Sequence, residues 1–222
     1  MTNTIGFVVA MEKEARLLLN ISDIIKETQT AGKRIYEGQL NKVDFVLIIA
    51  GVGKVNASMS TQILLDNYNI IKIINFGVAG GKQNSNLTAG DVVQVNKVCQ
   101  YDFDLSELDN VKIGYMQDYK TIFYPAIIKE NLKDKYKIVS CATGDRFTSK
   151  EYFLDIIHDL GAHIVDMESG AIAQVSYANN VPLQIIKLIS DVDGVNESIY
   201  SQYTNNVKSV CEKIPNAIID LI

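Results

Sequence analysis

Five short apolar runs in this chain each stop at a carboxylate or at a glycine-rich turn. Ile5–Ala10 (IGFVVA) runs into Met11-Glu12-Lys13-Glu14, and Val43–Ala50 (VDFVLIIA) into Gly51-Val52-Gly53-Lys54. The run ending at Phe76 leads to Gly77-Val78-Ala79-Gly80-Gly81, and the one ending at Val165 to Asp166-Met167-Glu168. Leu183–Ile189 (LQIIKLI) leads to Ser190-Asp191. Continuous apolar runs of this length fit strands buried on both faces, and such strands need helices on either side.

The stretches between them carry helical spacing. Glu12–Leu19 places Ala15, Leu18 and Leu19 on one side, and Lys54–Tyr68 spaces Val55, Met59, Ile63 and Leu64 near 3.6 residues. Helices are also expected over Ala126–Leu132, Ser149–Leu160, Ser169–Ala178 and Ser201–Leu221. Further strands are expected over Ile70–Val78, Lys137–Ala142 and Ala162–Asp166. Arg34–Leu40 and Val43–Ala50 read as a pair turned at Asn41-Lys42, and Asp91–Cys99 alternates like a half-exposed strand. The whole is an α/β pattern with a mixed sheet and helices on both faces. Residues 102–125 are the least regular stretch, and a loop this long inside a domain is often functional or part of an interface.

At 222 residues the chain is read as one domain, 1–222. Its net charge of −5 provides no bulk attraction for nucleic acid or anionic membrane. Cys99, Cys141 and Cys211 form no CxxC pair and suit a reducing compartment. His158 and His163 form no HExxH, so no metal site is expected. No signal segment and no apolar stretch near 18 residues is present, which makes the cytoplasm the expected location. Gly51-Val52-Gly53 is a broken dinucleotide fingerprint, because Asn56 stands where the third glycine belongs. No cofactor is expected.

Ligands of open α/β sheets bind beyond the carboxyl ends of the strands, where these acids and glycines lie. Each also has a plain structural reading. Glu12 and Glu14 suit the first turn of a helix, Asp166 suits a helix cap, and Ser190-Asp191 suits a turn. Gly77–Gly81 suits a tight turn, and Asp102 and Asp104 read as solvated loop acids. The pattern is informative as a set.

That set, together with Gly144-Asp145-Arg146-Phe147, resembles the motifs of 5′-methylthioadenosine/S-adenosylhomocysteine nucleosidases, within the purine nucleoside phosphorylase superfamily. Six motifs in the same order span about residues 5 to 218. The resemblance implies one α/β domain whose mixed central sheet closes into a distorted barrel flanked by helices, commonly as a homodimer. The implied reaction cleaves an N-glycosidic bond to adenine through an oxocarbenium-like transition state.

By the same resemblance, Asp191 protonates the leaving adenine, with Ser190 orienting it, and Glu14 activates the attacking water. Asp191 then needs a pKa raised by burial. Glu168 accepts from the ribose hydroxyls and Met167 packs on the sugar. Phe147 stacks on the base and the Thr148 backbone reads its edge. Val52 lies near the sugar and the 5′ substituent, and residues 102–125 reach the partner subunit's 5′ pocket.

Two positions depart from the family pattern near the expected water. Val78 replaces a serine and Lys187 an arginine; Lys keeps the charge without the planar fork. Arg146 stands where small residues are usual. Water is favoured over phosphate as nucleophile, because a dianion calls for arginines and only Arg16, Arg34 and Arg146 exist, with Asn75 where a superfamily phosphorylase would need one. A phosphate-dependent phosphorylase and a non-catalytic nucleoside-binding protein are the alternatives.

Overall fold

In the computed structural model, which describes residues 4–83, 85–147 and 151–222, the apolar runs become strands of a single mixed sheet. The first strand, β1 (Thr4–Val9), feeds α1 (Glu12–Asn20). Then β2 (Asp23–Thr30), β3 (Lys33–Leu40) and β4 (Val43–Ile49) form an antiparallel meander. Asn41 and Lys42 turn β3 into β4 with φ of 51° and 68°, the left-handed pair a two-residue hairpin needs. Next come α2 (Lys54–Asn67), β5 (Ile70–Gly81) and β6 (Val92–Gln100). The 102–125 stretch is mostly irregular, holding only α3 (Ser106–Asp109) and β7 (Tyr124–Pro125). After it follow β8 (Lys137–Thr143), α4 (Glu151–Asp159), β9 (Ile164–Asp166) and α5 (Ser169–Ala178). The chain ends with β10 (Leu183–Val192), α6 (Ile199–Cys211) and α7 (Ile214–Leu221).

The barrel closes through β5, β10, β6, β8 and β9, each bonded to the next and β9 back to β5. The β5–β10, β6–β8 and β8–β9 pairs are parallel, whereas β10–β6 and β9–β5 are antiparallel. From β5 the sheet continues outward as β1, β4, β3 and β2. One core lies under α2 and α5 and includes Val8, Ile48, Leu64, Ile73, Val95 and Ile172. A second core joins the other face to α1 and α7, around Phe7, Leu18, Phe76, Leu188 and Ile218. Strands apolar on both faces are thus covered on both, as their composition requires.

Several sequence-based boundaries change. Ala126–Leu132 is not a helix: the Ala126 and Ile127 amides donate to Asn96 and Leu183 carbonyls, and Gln94 Oε1 accepts from the Lys129 amide. Sheet edges thus capture the amides a helix would use, leaving one 3₁₀ turn at Glu130–Leu132. Ser201–Leu221 is two helices, because Pro215 sits in the first turn of α7, where it has no N–H to continue the α6 ladder. Strand β2 has almost wholly exposed residues, so no burial pattern marks it in the sequence. Gly77–Gly81 is not a turn but the end of β5, and Ser190-Asp191 lies within β10.

Candidate active site

The carboxyl ends of the strands open into a concave cleft, the kind of place where small-molecule sites form. Glu14, Val52, Val78, Phe147, Met167, Glu168, Ser190 and Asp191 all line it. The sequence expectations for these eight residues therefore meet in one place. Thr148 lies outside the described residues.

Glu12 and Glu14 both fall in the first turn of α1 but differ in environment. Glu12 is exposed and pairs with Arg34. Glu14 is 2% exposed. The Met11 amide donates to Glu14 Oε2 and the Val78 amide to Oε1, each at 2.9 Å. The first bond is the reach-back half of a capping box; the second ties α1 to β5. Burial pushes the carboxyl above its ordinary value, against the pull of the two amides and of Lys187.

Asp191 reaches the cleft through a bulge. In the β10–β5 ladder Ile189 faces Ala79 and Asp191 faces Gly80, leaving Ser190 as the extra residue. Such a bulge re-aims side chains, and here both Ser190 and Asp191 line the cleft. Ser190 Oγ donates to Asp191 Oδ1 at 2.6 Å. Burial pushes the Asp191 carboxyl up; the Ser190 bond pulls it down, Asp193 raises it and Lys82 lowers it.

The glycines of β5 make room for both acids. A Cβ at Gly77 would stand 2.7 Å from Glu14 Oε1, and one at Gly80 2.9 Å from Asp191 Oδ2. Both distances are shorter than real Cβ contacts, so the glycines permit the carboxylates to lie against the strand.

A buried ion pair lies under these groups. Lys187 does not line the cleft; its side chain is 1% exposed and Nζ sits 2.9 Å from Asp166 Oδ2. Burial opposes the charge on each most strongly, but the partner's charge, together with the Ser169 and Thr143 hydrogen bonds to Asp166 and the Glu168 charge on Lys187, outweighs it, so Asp166 is held low and Lys187 high. Thr143 Oγ1 donates to Asp166 Oδ1 at 2.5 Å, and the Ser169 amide to Oδ2 at 3.1 Å. Asp166 thus accepts from the first amide of α5 and is also the counter-ion of Lys187. Asn75 is committed to structure, donating to the Val8 carbonyl at 2.9 Å and meeting the Ser169 hydroxyl at 2.9 Å.

Glu168 precedes α5, and its Oε1 accepts from the Gly53 amide at 2.9 Å. Burial, then the Asp166 charge, pushes its carboxyl up to about 7, while Lys187 and the Gly53 amide pull the other way. Phe147 is 52% exposed and meets Tyr203 edge-on at 5.9 Å between ring centroids.

Some lining residues carry no sequence signal. Ile199 and Tyr203 reach the cleft from α6, and only the fold brings that helix there. Asp102 is an exposed loop acid, as expected, and its Oδ1 lies 2.6 Å from Lys54 Nζ. Asp104 accepts from the Ser106 amide at 2.8 Å. Among the described residues, no group of three or more His, Cys, Asp or Glu could hold a metal ion, and no helix is long and apolar enough to cross a membrane.

A closed mixed barrel with buried carboxyls at its strand ends defines an α/β enzyme of the nucleoside phosphorylase type. The family model described as the phosphorylase superfamily matches residues 4–222. A 5′-methylthioadenosine/S-adenosylhomocysteine nucleosidase of Oceanobacillus iheyensis is 32% identical, over 97% of this chain and 98% of its own. That of Buchnera aphidicola subsp. Schizaphis graminum is 35% identical, over 91% and 89%. The solved nucleosidase of Colwellia psychrerythraea 34H, in complex with adenine, superposes with a TM-score of 0.86 at 26% identity, covering 100% of this chain and 95% of that one. The chain belongs to the 5′-methylthioadenosine/S-adenosylhomocysteine nucleosidase family of the phosphorylase superfamily.

Proposed function

We propose that this chain hydrolyses the N-glycosidic bond of 5′-substituted adenine nucleosides, with 5′-methylthioadenosine and S-adenosylhomocysteine as substrates, releasing adenine and the 5-substituted ribose. It is an N-glycosyl hydrolase. The carrying observation is that Glu14 and Asp191, two buried carboxyls with different hydrogen-bond settings, line one cleft.

Asp191 is the general acid. Its raised pKa keeps the proton available, Ser190 fixes one oxygen, and the other delivers the proton to the leaving base. Glu14 is the general base: two amide donors favour its ionised form, and it takes a proton from the attacking water. As the glycosidic bond lengthens, the sugar gains positive charge, which Glu14 and Glu168 stabilise. Glu168 also accepts from the ribose hydroxyls, Met167 and Val52 pack on the sugar side, and Phe147 stacks on the base.

Water is the nucleophile. Of the three arginines only Arg146 lines the cleft, and its guanidinium lies 4.0 Å from the Phe153 ring centre. Asn75, Val78 and Glu14 themselves contribute no cation to hold a phosphate.

The protein works in the cytoplasm as a homodimer, in the salvage of methyl-donor by-products. Support for the dimer is an apolar surface over the packed pair α2 and α5, where Val55, Met59 and Tyr177 stay exposed. Tyr119 of the 102–125 stretch meets Tyr177 there, edge-on at 5.7 Å.

The test is chromatography of the products from 5′-methylthioadenosine with and without phosphate. Adenine and free methylthioribose in phosphate-free buffer are expected. Adenine formed only with phosphate would make the chain a phosphorylase, and saturable binding without adenine would make it a binding protein.

A further inference from the structure

Phe147 is half exposed, so burial alone does not hold it over the cleft. Its segment runs past the end of β8 with no ladder of its own. Besides the Gly144 amide's bond to the Asp166 carbonyl and the Tyr101 hydroxyl's bond to the Arg146 carbonyl, it is fastened through the residue at position 145. The Asp145 amide donates to Asp102 Oδ2 at 2.8 Å, and Asp145 Oδ1 accepts from the Lys54 amide at 2.7 Å. Lys54 closes the circuit, its Nζ lying 2.6 Å from Asp102 Oδ1. Three residues from the ends of β6, β8 and the start of α2 thus form one ring of contacts.

This ring borders the group that holds Glu168. The Gly53 amide, one residue before Lys54, donates to Glu168 Oε1. Two successive amides at the start of α2 therefore serve two carboxylates from distant parts of the chain. The free amides of a helix start favour such acceptors. Gly53 has a φ of 99°, and a Cβ there would stand 3.0 Å from Asp145 Oδ1. Glycine is needed both for the backbone and for the approach of Asp145.

We propose that Asp145 is a positioning residue which, with Asp102 and Lys54, sets the Phe147 ring and the Glu168 carboxylate in register on the first turn of α2. The inference rests on the nucleosidase reading, in which Phe147 takes the base and Glu168 the ribose. Phe147 and Glu168 take different parts of one substrate in that reading, and the start of α2 touches both the Glu168 carboxylate and the residue two before Phe147. Loosening that turn costs binding in the ground and transition states alike, which raises KM more than it lowers kcat.

The experiment compares Asp145→Ala and Asp145→Asn with the wild type for adenine release from 5′-methylthioadenosine, adenine binding by calorimetry and thermal midpoint. Asp145→Ala is expected to raise KM and weaken adenine binding about tenfold, with kcat within threefold and the midpoint nearly unchanged. Asp145→Asn keeps an oxygen for the Lys54 amide and is expected to restore most of the KM. Asp102→Ala opens the same ring, so it should show the same split, and the double alanine variant should be no worse than the worse single one. Wild-type KM in Asp145→Ala, equal losses in KM and kcat, no rescue by asparagine, or additive losses in the double variant would each overturn the proposal. A wild type that neither binds adenine nor releases it would instead sink the nucleosidase reading.

Discussion

Lys187 Nζ lies 2.9 Å from Asp166 Oδ2, and both side chains are 1% exposed. Asp166 also lines the cleft, and the pair joins β10 to β9. It keeps a cation within reach of both Glu14 and Glu168, whose carboxyls feel it. Removing one partner of a buried pair leaves an uncompensated charge and costs about 3–5 kcal/mol. Lys187→Met should lose about that much in urea denaturation, and adding Asp166→Asn should recover part of it. A Lys187→Met protein as stable as wild type would show that the pair is not the counter-charge assigned here.

Gly77 borders the Glu14 carboxyl, proposed as the base, and Gly80 the Asp191 carboxyl, proposed as the acid. The three heavy atoms nearest to a Cβ at Gly77 all belong to the Glu14 carboxylate. Gly77→Ala should therefore displace the base, and a misplacement near 1 Å costs about 10² in rate. The expected result is a fall of kcat of about that size with the circular dichroism spectrum unchanged. Unaltered kcat in Gly77→Ala would mean that Glu14 can retreat without penalty.

In the proposed reaction Asp191 must carry a proton and Glu14 must not. Burial raises both carboxyls, so activity should fall at low pH as Glu14 gains its proton and at high pH as Asp191 loses its own. Asp191→Asn is expected to cost about 10²–10⁴ in kcat and to remove the alkaline limb from the residual activity. Steady-state rates across pH check this, and an alkaline limb that persists in the variant assigns the acid elsewhere.

Glu168 carries an opposite demand. Its pKa of about 7 in the folded protein exceeds its ordinary 4.5, so the folded state holds this proton more tightly than the unfolded one. The stability it contributes is full below about 4.5 and is lost as pH rises through about 7. Glu168→Gln should thus melt higher than wild type above pH 7, the gap closing towards pH 4.5. The same variant should lose roughly tenfold or more in kcat/KM, because bonds to a charged acceptor are worth about 1.5–3 kcal/mol. Melting curves and rates at both ends of that range test the trade.

The sequence by itself determined the buried strands, the α/β class and the acids at the strand ends, because buried parallel strands must be apolar throughout and their ends are where polarity resumes. It marked Glu14, Glu168 and Asp191 through motifs that each have a plain structural reading. Residue type does not separate Glu14 from Glu12, since both suit a helix start; the family resemblance picked Glu14, and the tertiary structure gives the physical reason, because just that one points between α1 and β5. Only the ladder register revealed the bulge at Ser190, which no propensity encodes. Strand β2 left no trace, because an exposed edge has no apolar period. The Lys187–Asp166 pair spans 21 positions and the Asp145–Lys54 contact spans 91. Contacts at that separation arise from how the barrel closes, and local patterning holds no record of them.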